Sequence, residues 1–154
     1  MAAVSIAETL TLESAAKANG WTEGQLLDRA GERLGRAIGR YFPKRGTVIG
    51  YLGKGHNAAD ALVALRILRD IFGWNIAARV AFPINAFAPL THAKWDELGI
   101  RLPLDRAPAW RDLEGPLLLL DGLLGSGSRG ALSEPLSRLS SEMAMLRQIG
   151  RAHV

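Results

Sequence analysis

The sequence contains no cysteine, which excludes thiolate zinc sites, iron–sulfur clusters and thiol nucleophiles. It has no apolar run long enough for a bilayer: Leu117 to Leu120, for one, stops at Asp121, whereas a spanning helix needs about 20 apolar residues. Met1 to Glu8 lack the basic region and following apolar stretch of a secretory signal. A soluble protein with no membrane partner is therefore expected, in the cytoplasm or an organelle matrix. Charge of one sign is also scarce, with 19 Lys plus Arg against 15 Asp plus Glu for a net +4. The clearest basic concentration is Arg29, Arg33, Arg36 and Arg40, whose spacing places them on one helical face. That face reads either as an anion-binding surface or as a solvated face partly balanced by Asp28 and Glu32. Aromatic residues make up 6% of the chain and none interleaves with these arginines, so no nucleic-acid partner is expected.

What is present suits one ordinary globular domain. The 154 residues are 48% hydrophobic and 22% charged, with 17 glycines and seven prolines, which excludes disordered, collagen-like and disulfide-stapled classes. Residues 9–18 predict a short helix ending near Asn19-Gly20. A second helix follows, opened by Thr22 and Gln25 at capping-box spacing, carrying Leu26, Leu27, Ala30, Leu34, Ile38 and Tyr41, and ended by Pro43. Thr47 to Leu52 reads as a buried strand, residues 58–72 as a helix, and residues 75–82 as a second strand. Residues 86–98 predict a third sheet-covering helix, residues 100–104 a weak edge strand containing Pro103, and residues 116–121 another buried strand. A last helix begins near Ser133. Strands alternating with helices imply a three-layer α/β/α Rossmann-like fold with a mostly parallel sheet.

Residues 149–154, Ile-Gly-Arg-Ala-His-Val, are what the codons ATC GGA AGA GCA CAC GTC would encode, and that string resembles a sequencing-adapter oligonucleotide. This tail is expected to be a non-native scar that is set aside in reading the fold, with a natural polar helix end as the plainer reading, leaving 1–148 as a partial domain that is incomplete at its carboxyl end.

Ligands of an open parallel sheet bind beyond the carboxyl ends of its strands. Two loops there have suitable composition. Gly53-Lys54-Gly55-His56-Asn57-Ala58-Ala59-Asp60 combines two glycines with a helix amino terminus, which offers free N–H groups and a positive dipole end. It is neither a Walker loop nor a full dinucleotide fingerprint, because no GK[ST] follows and Ala58 occupies the third glycine position. Asp121 followed by Gly125-Ser126-Gly127 places a carboxylate at a strand end beside an anion-compatible turn. Each acid also has a plainer reading: Asp121 as a turn residue, and Asp60 as a first-turn acid satisfying the helix dipole. His56 reads as a general base or as a solvent-exposed loop residue.

Taken in order, Leu27-Asp28-Arg29-Ala30-Gly31, then Gly53 to Ala64, then Asp121-Gly122-Leu123-Leu124-Gly125-Ser126-Gly127, the chain resembles the YjeF amino-terminal domain family from about residue 8 to residue 146. Members are NAD(P)H-hydrate epimerases, alone or fused to an ADP- or ATP-dependent NAD(P)H-hydrate dehydratase. The resemblance implies interconversion of the R and S epimers of hydrated NADH or NADPH. It implies that His56, Asn57, Ala58, Ala59 and Asp60 line the substrate site, where the family usually shows Asn-Asn-Gly-Gly-Asp. Gly125, Ser126, Gly127, Ser128, Arg129, Gly130 and Ala131 fall on the loop that wraps the nucleotide. Asn57 and Asp121 fall on positions that hold a potassium ion, whose preference for oxygen ligands suits an amide carbonyl and a carboxylate. Asp60 and Asp121 are the candidate catalytic groups.

This chain departs from the family at His56, Ala58, Ala59 and Ala61, where methyl groups are expected to narrow a phosphate approach or shift the backbone. The Asp-Ile-Pro-Ser-Gly-like segment that ends a further strand in the family has no counterpart in these residues. A fused dehydratase, a homodimer, and a noncatalytic nucleotide-binding or protein-interaction module remain open alternatives at the level of sequence.

Overall fold

The computed structural model describes residues 5–125 and 128–151. Helices α1 (Ile6–Ala18) and α2 (Glu23–Tyr41) precede strand β1 (Thr47–Leu52), helix α3 (His56–Asp70) and strand β2 (Asn75–Val80). Helix α4 (Pro89–Leu98), strand β3 (Leu117–Gly122) and helix α5 (Leu136–Arg151) complete the order. The sheet is parallel in the order β2-β1-β3, with Thr47 opposite both Asn75 and Leu117 and Leu52 opposite both Val80 and Gly122. The expected α/β architecture is thus present, with the carboxyl ends of all three strands on one rim.

Central position makes β1 the axis of the core, and all six of its residues are buried. Its side chains alternate between faces, as strand geometry requires. Val48 and Leu52 pack with Leu62, Leu65 and Leu68 of α3 and with Trp95 and Leu98 of α4. Ile49 and Tyr51 pack against Leu139 and Leu146 of α5. A polar network crosses this second face. Arg79 of β2 donates from Nε and Nη2 to the Glu142 carboxylate at 2.8 and 2.7 Å, and the Tyr51 hydroxyl donates to the same carboxylate at 2.8 Å. Burial pushes the Glu142 carboxyl upward, but hydrogen bonds from Arg79 and Tyr51 outweigh it and hold the group below its ordinary value.

The second layer on the α3 side is built differently from its sequence pattern. The expected apolar face of α2 is only partly inward: Leu27 is buried, but Ala30, Leu34 and Tyr41 are exposed. The buried stripe is Leu27, Gly31, Gly35 and Gly39, one residue every helical turn. A Cβ on Gly31 would lie 2.5 Å from Val63 Cβ and 2.8 Å from the Asp60 carbonyl, and one on Gly35 would lie 2.8 Å from Ile67 Cβ. Backbone approach replaces side-chain interdigitation there. Asp28 faces α4, where Lys94 Nζ lies 2.7 Å away, so it does not balance the arginine stripe as expected.

Several boundaries also move. The Ser5 and Glu8 capping box starts α1 at Ile6, ahead of residue 9. Gly55 caps α3 so that it begins at His56, not Ala58, and Asp60 therefore lies past the first turn. Residues 100–104 form no strand: Pro103 has no N–H to donate, and the segment touches β2 through one backbone bond, Leu104 N to Ala78 O at 2.7 Å. A turn at Glu134-Pro135 delays α5 to Leu136.

The glycine stripe makes a direct prediction. Gly31→Ala should gain about 0.5–1 kcal/mol in helix propensity but lose about 1–3 kcal/mol to overpacking against α3, a net destabilisation measurable by urea unfolding. Gly24→Ala on the same helix would meet only Leu90 Cδ2 at 3.7 Å and should be neutral or stabilising.

Candidate functional site

The two loops singled out by composition meet at the rim of the sheet. Gly53 N donates to Gly122 O at 2.9 Å, and a Cβ on Gly53 would overlap the Leu123 carbonyl oxygen. Only glycine permits this approach. The next residues are held from the other side by α4: Ala88 N donates to Lys54 O at 2.8 Å, and the buried Thr91 hydroxyl donates to Gly55 O at 3.0 Å. The same Gly55 carbonyl accepts from Ala58 N and Ala59 N at 3.0 and 3.3 Å. The amino-terminal N–H groups of α3 are thereby fixed in direction, and those of His56 and Asn57 have no carbonyl one turn earlier to bond.

Asn57 joins the loops. Its Nδ2 donates to Leu124 O at 2.9 Å and lies 3.5 Å from Asp121 O, while Gly125 packs beside its Cβ. Asp121 is exposed, and its Oδ1 accepts from Leu123 N at 3.0 Å, which is the turn role read from sequence. Asn57 and Asp121 therefore do come together, through the amide of one and the main chain of the other. The carbonyl oxygens of Asp121 and Leu124 both face Asn57 Nδ2, and the Asn57 and Asp121 side chains themselves carry further oxygens. An oxygen-only set of this kind fits a hard, weakly charged cation and no transition metal. Among the described residues no cluster of three His, Cys, Asp or Glu side chains stands ready for a metal.

Ala58 and Ala59 are placed differently from their neighbours. Both methyl groups are buried, Ala59 against Leu27 and Val63 and Ala58 in the sheet-facing core. Their methyls therefore fill the core and are not exposed at the loop surface. Ala61 Cβ would lie 2.9 Å from a Cβ on Gly122, so the extra methyl at 61 is accommodated by a glycine opposite. Ser128 N donates to Gly125 O at 3.1 Å, and Ser128, Arg129, Gly130 and Ala131 are exposed. Ser126 and Gly127 lie outside the described residues.

Asp60 projects into a cavity of about 260 Å³ bounded by α1, α2 and the start of α3. Glu13, Lys17, Glu23, Arg29, Arg33 and His56 supply its charged lining. Burial raises the Asp60 carboxyl to about 6, His56 opposes this rise and Glu13 adds to it. His56 is more than half exposed, with Nδ1 3.4 Å from Glu23 Oε1. Arg29 also lies over the Trp21 ring at 5.1 Å, an aromatic partner that precedes the stripe in sequence. Glu13 and Thr91 are not singled out by the sequence: Thr91 shares its buried helix face with Lys94, Trp95 and Leu98, and Glu13 has no pattern that could mark it.

The family model described as YjeF-related protein N-terminus matches residues 23–150, which include both loops and the Asp60 cavity's α2 wall. The chain belongs to this family. Among curated relatives, a bifunctional NAD(P)H-hydrate repair enzyme of Gloeobacter violaceus is 32% identical over 91% of the chain and 27% of its own length. An NAD(P)H-hydrate epimerase of Plasmodium knowlesi is 30% identical over 94% of the chain and 49% of its own length. A second bifunctional repair enzyme, from Thermosynechococcus vestitus, is 28% identical over 92% of the chain and 28% of its own length. The chain thus spans about a quarter to a half of the relatives it matches. In this YjeF-related domain Asn57 and Asp121 lie beside the Gly53–Gly122 junction, whereas His56 and Asp60 line the cavity against α1 and α2.

A buried acid whose carboxyl titrates high costs stability once it ionises. The sign is fixed: the stabilising contribution is complete below the ordinary Asp range near 4 and is lost as pH rises through about 6. Asp60→Asn should therefore raise the melting temperature at pH 7.5 and leave it nearly unchanged at pH 4, as read by scanning calorimetry at the two pH values.

Proposed function

We propose that this domain is an NAD(P)H-hydrate epimerase, an isomerase that interconverts the R and S forms of hydrated NADH and NADPH in metabolite repair. The observation that carries the reading is the junction of the two loops, where the start of α3 meets the carbonyls of Asp121 and Leu124 through Asn57; Asp60, one turn further along α3, lines the cavity against α1 and α2. The printed names of its relatives support the same reaction.

Asp60 supplies the proton. Held near neutrality in its protonation, it can donate to the hydroxyl of the hydrated ring, so that the carbon–oxygen bond breaks and the oxygen leaves as water with the bonding pair. The ring nitrogen shares its lone pair with the carbon left behind. Water then adds from the opposite face and returns a proton to the Asp60 carboxylate, so nothing is oxidised or reduced and the acid is regenerated. The free N–H groups at the start of α3 and the loop from Gly125 to Ala131 bind the anionic nucleotide. Asn57 and Asp121, with the carbonyls beside them, would hold a potassium ion, which supplies fixed positive charge between the loops. Asp121 is then a positioning group, and Asp60 the acid.

A fused dehydratase is the second reading, supported by bifunctional relatives about four times the length matched here. It changes the fate of the S epimer and leaves the chemistry of this domain intact.

The test is epimer exchange measured by chromatography with purified R-hydrate of NADH. Exchange should be faster than in buffer, should rise when potassium replaces a bulky organic cation at constant ionic strength, and should fall about 100-fold or more in Asp60→Asn. The acid role requires kcat/KM to decline above about pH 6. A folded protein that neither binds the hydrate nor accelerates exchange would refute the reading.

A further inference from the structure

Helix α1 buries none of its side chains, and a helix of 13 residues is marginal in water without tertiary support. Its described attachment is to the site. Glu13 and Lys17, one turn apart, form the outer wall of the Asp60 cavity, opposite Glu23, Arg29 and Arg33 of α2 and His56 of α3. Of the two glutamates on that lining, Glu23 lies 3.4 Å from His56, whereas among the described residues no ion pair involves Glu13. Lys17, Arg29 and Arg33 supply further positive charge on the lining; burial raises the Asp60 carboxyl most, His56 opposes it and Glu13 adds a smaller rise.

We propose that Glu13 is a positioning residue for Asp60: α1 carries a second carboxylate onto the wall of the same cavity, and its charge adds to burial in favouring the protonated form that donates to the substrate hydroxyl. This inference rests on the reading of Asp60 as the acid. It gives α1, which the core does not need, a place in the chemistry: the helix forms one wall of the cavity and brings a like charge toward a buried acid, which disfavours the carboxylate. Glu13 touches no reacting atom in this scheme and acts only through Asp60.

The experiment uses the full chain and the variants Glu13→Gln and Glu13→Asp, with the Asp60 carboxyl titrated by carbon-13 NMR and exchange measured across pH. Circular dichroism confirms the fold, which should persist because Glu13 is exposed. In Glu13→Gln the Asp60 midpoint should move down toward the ordinary Asp range. The alkaline limb of kcat/KM should follow by the same interval, with kcat at pH 7 reduced and KM little changed. Glu13→Asp, which keeps the charge, should retain most of the wild-type midpoint. A wild-type midpoint near 6 that Glu13→Gln leaves in place would overturn the role of Glu13 and spare that of Asp60. An equal fall in both variants would also overturn it, since charge would not be the cause. A wild-type midpoint in the ordinary Asp range would instead remove Asp60 as the acid.

Discussion

The site depends on one close approach of backbone to backbone. Where β1 ends, the chain at Gly53 lies so near the Leu123 carbonyl that no side chain fits between them, and the Gly53 N–H bonds to Gly122. This junction fixes the distance between the helix that carries His56, Asn57 and Asp60 and the strand that ends in Asp121. Asn57 then spans the gap with its amide. A larger residue at position 53 would separate the loops and uncouple the two halves of the site, whatever the side chains on either half.

The electrostatics follow from that placement. Starting α3 at His56 puts Asp60 beyond the first turn, where the helix dipole contributes little and burial dominates its titration. A carboxylate at the helix start would have been stabilised; four residues along, beside α1 and α2, it is destabilised. The same helix therefore offers N–H donors for an anion at its tip and a proton donor one turn further in.

How much of this was legible in the sequence depended on the interaction involved. The buried strand Thr47–Leu52 and the Thr22–Gln25 cap were visible because hydrophobic runs and capping boxes are local patterns. The convergence of Gly53 and Asp121 was readable as loop composition at strand ends, since parallel sheets gather those ends on one rim. The contact of α2 with α3 was misread because glycines carry no hydrophobic signal, and the apolar residues Leu34 and Tyr41 gave a false face. Pro103 had been read as compatible with an edge strand, yet its missing N–H leaves the segment only a single bond to β2. The cavity wall at Glu13 and the Thr91 bond to Gly55 arise from tertiary packing between distant segments, and no spacing in the chain encodes them.

Helix α4 has a consequence for how the molecule comes apart. Thr91 ties it to the glycine loop, Lys94 ties it to Asp28 of α2, and Trp95 and Leu98 anchor it in the main core. The loop carrying the helix-terminal amides is thus braced by a helix that melts only when the sheet does. The Gly53 amide, bonded to the Gly122 carbonyl, should exchange with deuterium on the timescale of global unfolding, whereas the unbonded N–H groups at the start of α3 exchange early.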